Sequence, residues 1–176
     1  QKIVKDLFLD VQVQSKISLT AVNSINWARL IAQAVYYFWS YTQLDSDKIS
    51  FIVPSGNFGN IFSARLAKYM GLPIDQLHLV TNANDILHRT ISSGEMATDI
   101  VKKTYSPSMD IQISSNFERQ IFESVRRNSY ELKKIWNLFL EKDLILYQLK
   151  YFKIYNQFII LTLYQMIKLL KQLENL

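Results

Sequence analysis

Two glycines and two asparagines fall within Pro54-Ser55-Gly56-Asn57-Phe58-Gly59-Asn60, and this is the stretch of the chain best suited to chemistry. The chemistry is anion binding. Gly56 and Gly59 lack a Cβ, so the backbone there can take turn conformations closed to other residues and come close to a ligand. A helix predicted to follow would aim unpaired N–H groups and a partial positive charge at the turn, which suits a phosphate. Asn57 and Asn60 tolerate turn geometry and bring amide donors. By spacing alone a plain strand-to-helix turn stays open as the other reading, since the pattern is neither a Walker loop nor GxGxxG.

The elements around that loop are legible from their periods. Ile49 to Val53 is a short apolar run that reads as a buried strand, and Ile61 to Met70 reads as a helix closed by Gly71, with Pro73 beyond it. Leu77 to Val80 is a second apolar strand, so the segment is a strand–helix–strand unit with parallel strands, and the loop lies at their carboxyl ends, where ligands of such sheets sit. Thr81 to Asp85 follows at the same edge, as a turn or as a second wall of the crevice.

Upstream, Thr20 to Tyr41 is predicted as a long helix capped by Thr20 or Asn23, with Asn23, Asn26, Arg29 and Gln33 at helical spacing on one side. That stripe is either a solvent face or a ligand face. Downstream, Ile91 to Ser106 has no clean period, Met109 to Ser114 alternates as a strand would, and Ser115 or Asn116 is expected to cap a helix running to Arg127. Glu118 suits the start of that helix regardless of function. Gln1 to Asp10 reads as the end of a helix, and Lys5 as a solvated residue on it. His78 and His88 have no second ligand nearby and read as packed or surface residues.

Composition narrows the classes. The 176 residues carry a net charge of +5 and no cysteine, which removes disulfides, thiolate metal sites and cysteine nucleophiles. Residues 1–130 hold 13 Lys/Arg against 11 Asp/Glu, with no basic stripe interleaved with aromatics, so nucleic-acid binding is not expected. No signal-peptide pattern opens the sequence, and no metal-ligand cluster is visible.

Four stretches together resemble one enzyme family. Ala21 to Gln33 (AVNSINWARLIAQ), Pro54 to Asn60 (PSGNFGN), Thr81 to Leu87 (TNANDIL) and Ser106 to Phe122 (SPSMDIQISSNFERQIF) are similar, in that order, to threonine synthase, a pyridoxal phosphate (PLP) enzyme. The similarity runs from about Ile17 to Arg127. It implies an α/β fold, part of a three-layer PLP fold type II domain with a parallel central sheet. It also implies PLP as cofactor, held by Gly56, Asn57, Phe58, Gly59 and Asn60. Asn23, Ser24, Asn26 and Arg29 would lie toward the substrate, O-phosphohomoserine in this family, which water and the enzyme convert to threonine and phosphate in the cytoplasm. Another PLP fold type II lyase or dehydratase, or a non-catalytic anion-binding remnant, are the alternatives; NSINWAR and SSNFER favour threonine synthase.

The resemblance also implies gaps. The Schiff-base lysine of the family precedes the glycine loop in a segment not found here, since Lys5-Asp6 lacks the surrounding motif, so no catalytic residue is assigned and the chain by itself is expected to be inactive. Residues 1–130 are expected to be an incomplete PLP-binding segment, and the remainder of the same enzyme is the expected partner. Residues 131–176 are expected to be a divergent helical tail. From Leu144 to Leu176 there is no Gly, Ala, Pro, Val, Asp, Ser or Arg, a composition abrupt enough to suggest a shifted reading frame. The longest uncharged run there, Ile154 to Ile167, is 14 residues, short of the ~20 needed to span a bilayer.

Overall fold

A computed structural model of the chain describes residues 7, 10–19, 26–142, 144–146 and 159–161. Lys5, Thr20, Asn23 and Ser24, and most of 1–10 and 147–176, lie outside the described residues, together with what was expected of them. A short helix α1 (Val11–Lys16) is capped by Asp10, whose carboxylate accepts the N–H groups of Gln12 and Val13. Helix α2 runs Trp27–Thr42, later than the sequence suggests. Asn26 is extended at ψ 127° and its Oδ1 accepts from Ala28 N at 2.9 Å, so it is the N-cap and not part of a helical stripe.

Strand β1 (Ile49–Pro54), helix α3 (Gly59–Tyr69) and strand β2 (Ile74–Val80) form the expected parallel unit, with Phe51 opposite Leu77 and Val53 opposite Leu79. Helix α3 begins two residues earlier than Ile61 because Gly59 and Asn60 already take helical geometry. Its residues Ile61, Phe62, Ala64 and Ala67 are buried in the core, and α2 packs beside it through Leu30, Ala34 and Tyr37. Tyr37 meets Phe51 edge-to-face at 4.9 Å and donates its hydroxyl to Asn60 O at 2.8 Å, tying α2 to both the sheet and the loop. Burial pushes the Tyr37 phenol far above its ordinary range, so it stays a donor.

Helix α4 (Ile86–Ser93) ends at Gly94 in the left-handed region, where φ is 80°, and is followed by strand β3 (Glu95–Ala97). The strand expected over Met109 to Ser114 is not formed. Pro107–Met109 is a single 3-10 turn and the chain beyond it is irregular, because among the described residues no strand pairs with this segment, whose Asp110 carboxylate is taken up instead by Asn82 and Thr104. Helix α5 covers Phe117–Ser124, shorter than expected, and is closed by two arginines at positive φ, Arg126 at 55° and Arg127 at 60°. Arg127 N reaches back to Phe122 O at 2.8 Å, which satisfies a terminal carbonyl.

Helix α6 (Ser129–Lys142) crosses residue 130, and the tail beyond it is not wholly helical. Strand β4 (Leu144–Leu146) pairs antiparallel with β3, and strand β5 (Ile159–Leu161) adds to β2 in parallel, giving the order β1-β2-β5. Isoleucine and leucine suit a strand buried on both faces as well as a helix, so the period alone could not separate the two. Among the described residues no helix is long and apolar enough to cross a membrane.

Candidate functional site

The loop between β1 and α3 is built by one serine and one asparagine. Ser55 is buried, and its N–H bonds Val80 O at 2.9 Å, which fastens the loop to the end of β2. Its hydroxyl donates to Asn60 Oδ1 and accepts from Phe58 N at 3.1 Å. Asn60 turns its amide inward: Oδ1 also accepts from Ile61 N at 3.0 Å, and Nδ2 donates to Pro54 O at 2.6 Å. Asn60 can therefore offer an anion its backbone N–H, not its side chain. Ser55 was missed as a site residue because a serine in a turn carries no distinguishing signal.

The left-handed residue of the loop is Phe58, at φ 63°, and not either glycine. A bulky residue rarely takes this conformation. Here it is held because the ring is fully buried and stacks edge-to-face on Phe117 at 5.1 Å. What Gly56 and Gly59 supply is space. A Cβ on Gly56 would stand 3.1 Å from Ile111 Cδ1 and 3.2 Å from Met109 Cα, and one on Gly59 would stand 3.2 Å from Asn116 Nδ2 and 3.4 Å from Leu30 Cδ2.

Three helix starts meet at this point. Leu30 in the first turns of α2 and Asn116 at the cap of α5 both touch Gly59, the first residue of α3. Asn116 N donates to Asn57 O at 3.1 Å and Ser115 Oγ lies 3.3 Å from Asn57 Oδ1, so the turn before α5 braces the loop. Of the loop amides, those of Gly56, Asn57, Gly59 and Asn60 have no acceptor among the described residues, whereas Ser55, Phe58 and Ile61 are held by the protein. The hydroxyl of Ser114, buried in the same turn, also has no partner among the described residues. Unpaired N–H groups at a helix start with no Cβ in the way suit a phosphate, so the residues fit a phosphate-bearing cofactor.

The other expected residues divide. Arg29 is exposed on the first turn of α2. Gln33 is used for packing, its Oε1 accepting from Ser63 Oγ at 3.3 Å across α2 and α3. Trp27 meets Phe62 at 6.2 Å with Arg119 over its ring at 5.3 Å, which closes the α2 end against α3 and α5. His88 Nε2 lies 3.4 Å from Ser92 Oγ, and His78 is half-buried in β2. Among the described residues no group of His, Cys, Asp or Glu could hold a metal ion.

The Thr81–Asp85 loop is tied to the site through Asp110. The Asp110 carboxylate accepts from Asn82 Nδ2 at 2.8 Å, Asn84 Nδ2 at 3.0 Å and Thr104 N at 2.8 Å. Asp110 adjoins Met109 and Ile111, the two residues packed under Gly56. Hydrogen bonds from Thr104, then from Asn82 and Asn84, hold its carboxyl below the usual carboxylate range. A carboxyl depressed on folding stabilises fully above its unfolded value of about 4 and loses that contribution as pH falls through the lower folded value. The protection factor of the Thr104 amide, its exchange rate relative to an unstructured chain at the same pH, is accordingly expected to fall in acid ahead of those in the core, and Asp110→Asn to show no such acid dependence; parallel pH profiles of protection for the two proteins would contradict this.

No protein-family model matches the chain. Individual relatives do. The chain is 53% identical over 131 residues to threonine synthase of Saccharomyces cerevisiae, a match covering 72% of this chain and 26% of the relative. It is 47% identical over 141 residues to threonine synthase of Pseudomonas aeruginosa, covering 79% of this chain and 30% of the relative. Among solved structures, PLP-bound threonine synthase from Brucella melitensis superposes with a TM-score of 0.85 at 41% identity, over 92% of this chain and 35% of that one. The chain resembles a stretch of threonine synthase. Yeast threonine synthase superposes with a TM-score of 0.79 at 37% identity. The fold is thus that of part of the α/β, fold type II domain of threonine synthases, and the chain spans about a quarter to a third of the length of the relatives it matches.

Proposed function

We propose that this chain is the phosphate-holding part of a PLP-dependent threonine synthase site, which acts on O-phosphohomoserine, and that it is inactive by itself. The observation that carries the reading is the set of loop amides at Gly56, Asn57, Gly59 and Asn60, unpaired among the described residues at the start of α3. Bound PLP supplies the electron sink for losing the substrate's phosphate and adding water. The loop amides hold the cofactor's phosphate, with the Asn57 side chain beside it. Phe58 closes the underside of the cradle, and Ser55 and Asn60 keep its N–H groups aimed outward. Asn26 and Arg29 belong to the substrate wall in this reading, at the end of α2 that touches the cradle through Leu30, and Asn23 and Ser24, which lie outside the described residues, are assigned to it by the family resemblance alone. Arg29 is the member with a charge for an anionic substrate group. None of the four family-like stretches contains a lysine, so the covalent attachment of PLP is assigned to another part of the enzyme.

Amide-resolved NMR tests the cradle on the chain alone. Inorganic phosphate and PLP are each expected to shift the amides of Gly56, Asn57, Gly59 and Asn60, with a dissociation constant on the order of 1 mM, since a lone helix-start site gains little net energy in water. No phosphate is expected to be released from O-phosphohomoserine. Shifts confined to surface lysines would remove the cradle, and turnover by the chain alone would remove the assignment of the lysine elsewhere.

A further inference from the structure

We infer that Asp110 is a positioning residue of the phosphate cradle, fixing residues 109–116 as the wall that holds the Gly56 and Asn57 amides in place; this rests on the functional reading above. The cradle has two unlike halves. Gly59 and Asn60 are the first residues of α3, and Asn60 is locked by the Ser55 hydroxyl, by Pro54 O and by the Tyr37 hydroxyl on its own carbonyl. Gly56 and Asn57 stand before the helix and are braced from outside it. Met109 Cα and the Ile111 side chain leave no room for a Cβ on Gly56, Asn116 N donates to Asn57 O, and Ser115 Oγ lies 3.3 Å from Asn57 Oδ1.

The bracing segment has no ladder: among the described residues no strand pairs with it, so side chains must fix where it runs. Asp110 does this at its start. At φ −79° and ψ 69° it is the centre of a tight turn in which Ile111 N donates to Met109 O at 2.9 Å, so its two neighbours are carried round onto Gly56. Its side chain is tied elsewhere. One carboxylate oxygen accepts from Asn82 Nδ2, Asn84 Nδ2 and Thr104 Oγ1, and the other from Thr104 N. A group that only accepts is suited to four donors at once, and among the described residues no Lys or Arg forms an ion pair with it. The donors are themselves anchored. Asn84 is 3% exposed and clasps the Lys102 backbone, accepting its N–H and donating to its carbonyl at 2.8 Å each, while Asn82 lies just beyond β2. Val80 O, at the end of β2, already receives Ser55 N. The cradle is thus fastened to that strand twice, through Ser55 and through Asp110.

The test is amide-resolved NMR on the full 176-residue chain carrying Asp110→Asn, which keeps the size of the side chain and turns an NH2 group toward donors. In the free chain the Gly56 and Asn57 amides are expected to gain fast motion, with Gly59, Asn60 and the core unchanged. Inorganic phosphate is expected to bind about tenfold more weakly and to shift Gly59 and Asn60 while Gly56 and Asn57 respond little. Adding Asn82→Asp to Asp110→Asn reverses the polarity of one bond in the network, and the pair is expected to recover phosphate affinity to within about threefold of the parent. A general loss of fold would not be rescued in this way. Unchanged affinity in Asp110→Asn, equal loss at all four amides together with core protection, or a double variant no better than the single one would each overturn the inference. The parent separates the two readings: a responsive parent matched by Asp110→Asn defeats this inference alone, and a parent silent to phosphate whose Gly56 and Asn57 amides still loosen in Asp110→Asn and recover in the double variant defeats the function alone.

Discussion

Replacing Phe58 with alanine is expected to destabilise the chain by about 3–5 kcal/mol, the cost of emptying a fully buried phenylalanine site. The ring has no exposed surface and its edge-to-face contact with Phe117 joins the loop to α5. Its backbone adds a second term. At φ 63° an alanine still bears the left-handed penalty of about 1–2 kcal/mol that any L-residue with a Cβ incurs, and glycine does not. Phe58→Gly should therefore be less damaging than Phe58→Ala by about 1 kcal/mol, although it removes one carbon more. Chemical denaturation of the two variants decides this. If glycine is the worse substitution, packing outweighs backbone strain and the left-handed turn contributes nothing measurable.

Gly56→Val should abolish the phosphate response of the loop and cost about 1–3 kcal/mol of stability, as overpacking does. The nearest atoms to a new Cβ are the Ile111 side chain at 3.1 Å, which can rotate, and Met109 Cα at 3.2 Å, which cannot without moving the chain. That backbone is held by the Asp110 hydrogen bonds, so the strain is expected to shift the loop instead and misdirect its amides. Denaturation and the phosphate titration read the two consequences separately. A variant that binds phosphate as well as the parent would show that Met109 gives way and that the glycine at 56 is there for the fold alone.

These two positions show where pattern and tertiary structure divide. Local sequence determined the parallel unit: Ile49–Val53, the helix after Gly59 and the strand ending at Val80 follow from apolar periods and from Gly71 and Pro73, which act within a few residues. It also determined the glycine loop and the family it resembles, because the constraint on PSGNFGN is a short-range one. Which residue of the loop is left-handed was decided by packing, since Phe117, nearly sixty positions away, fixes the Phe58 ring. The role of Asn26 was decided by where α2 starts, and that of Gln33 by α3 beside it. Met109–Ser114 alternates like a strand, yet among the described residues no strand pairs with it, and Asp110 binds Asn82, Asn84 and Thr104 instead. The tail strands β4 and β5 exist only through partners at β3 and β2, because a strand's hydrogen bonds, unlike a helix's, are made with chain that its own sequence does not contain.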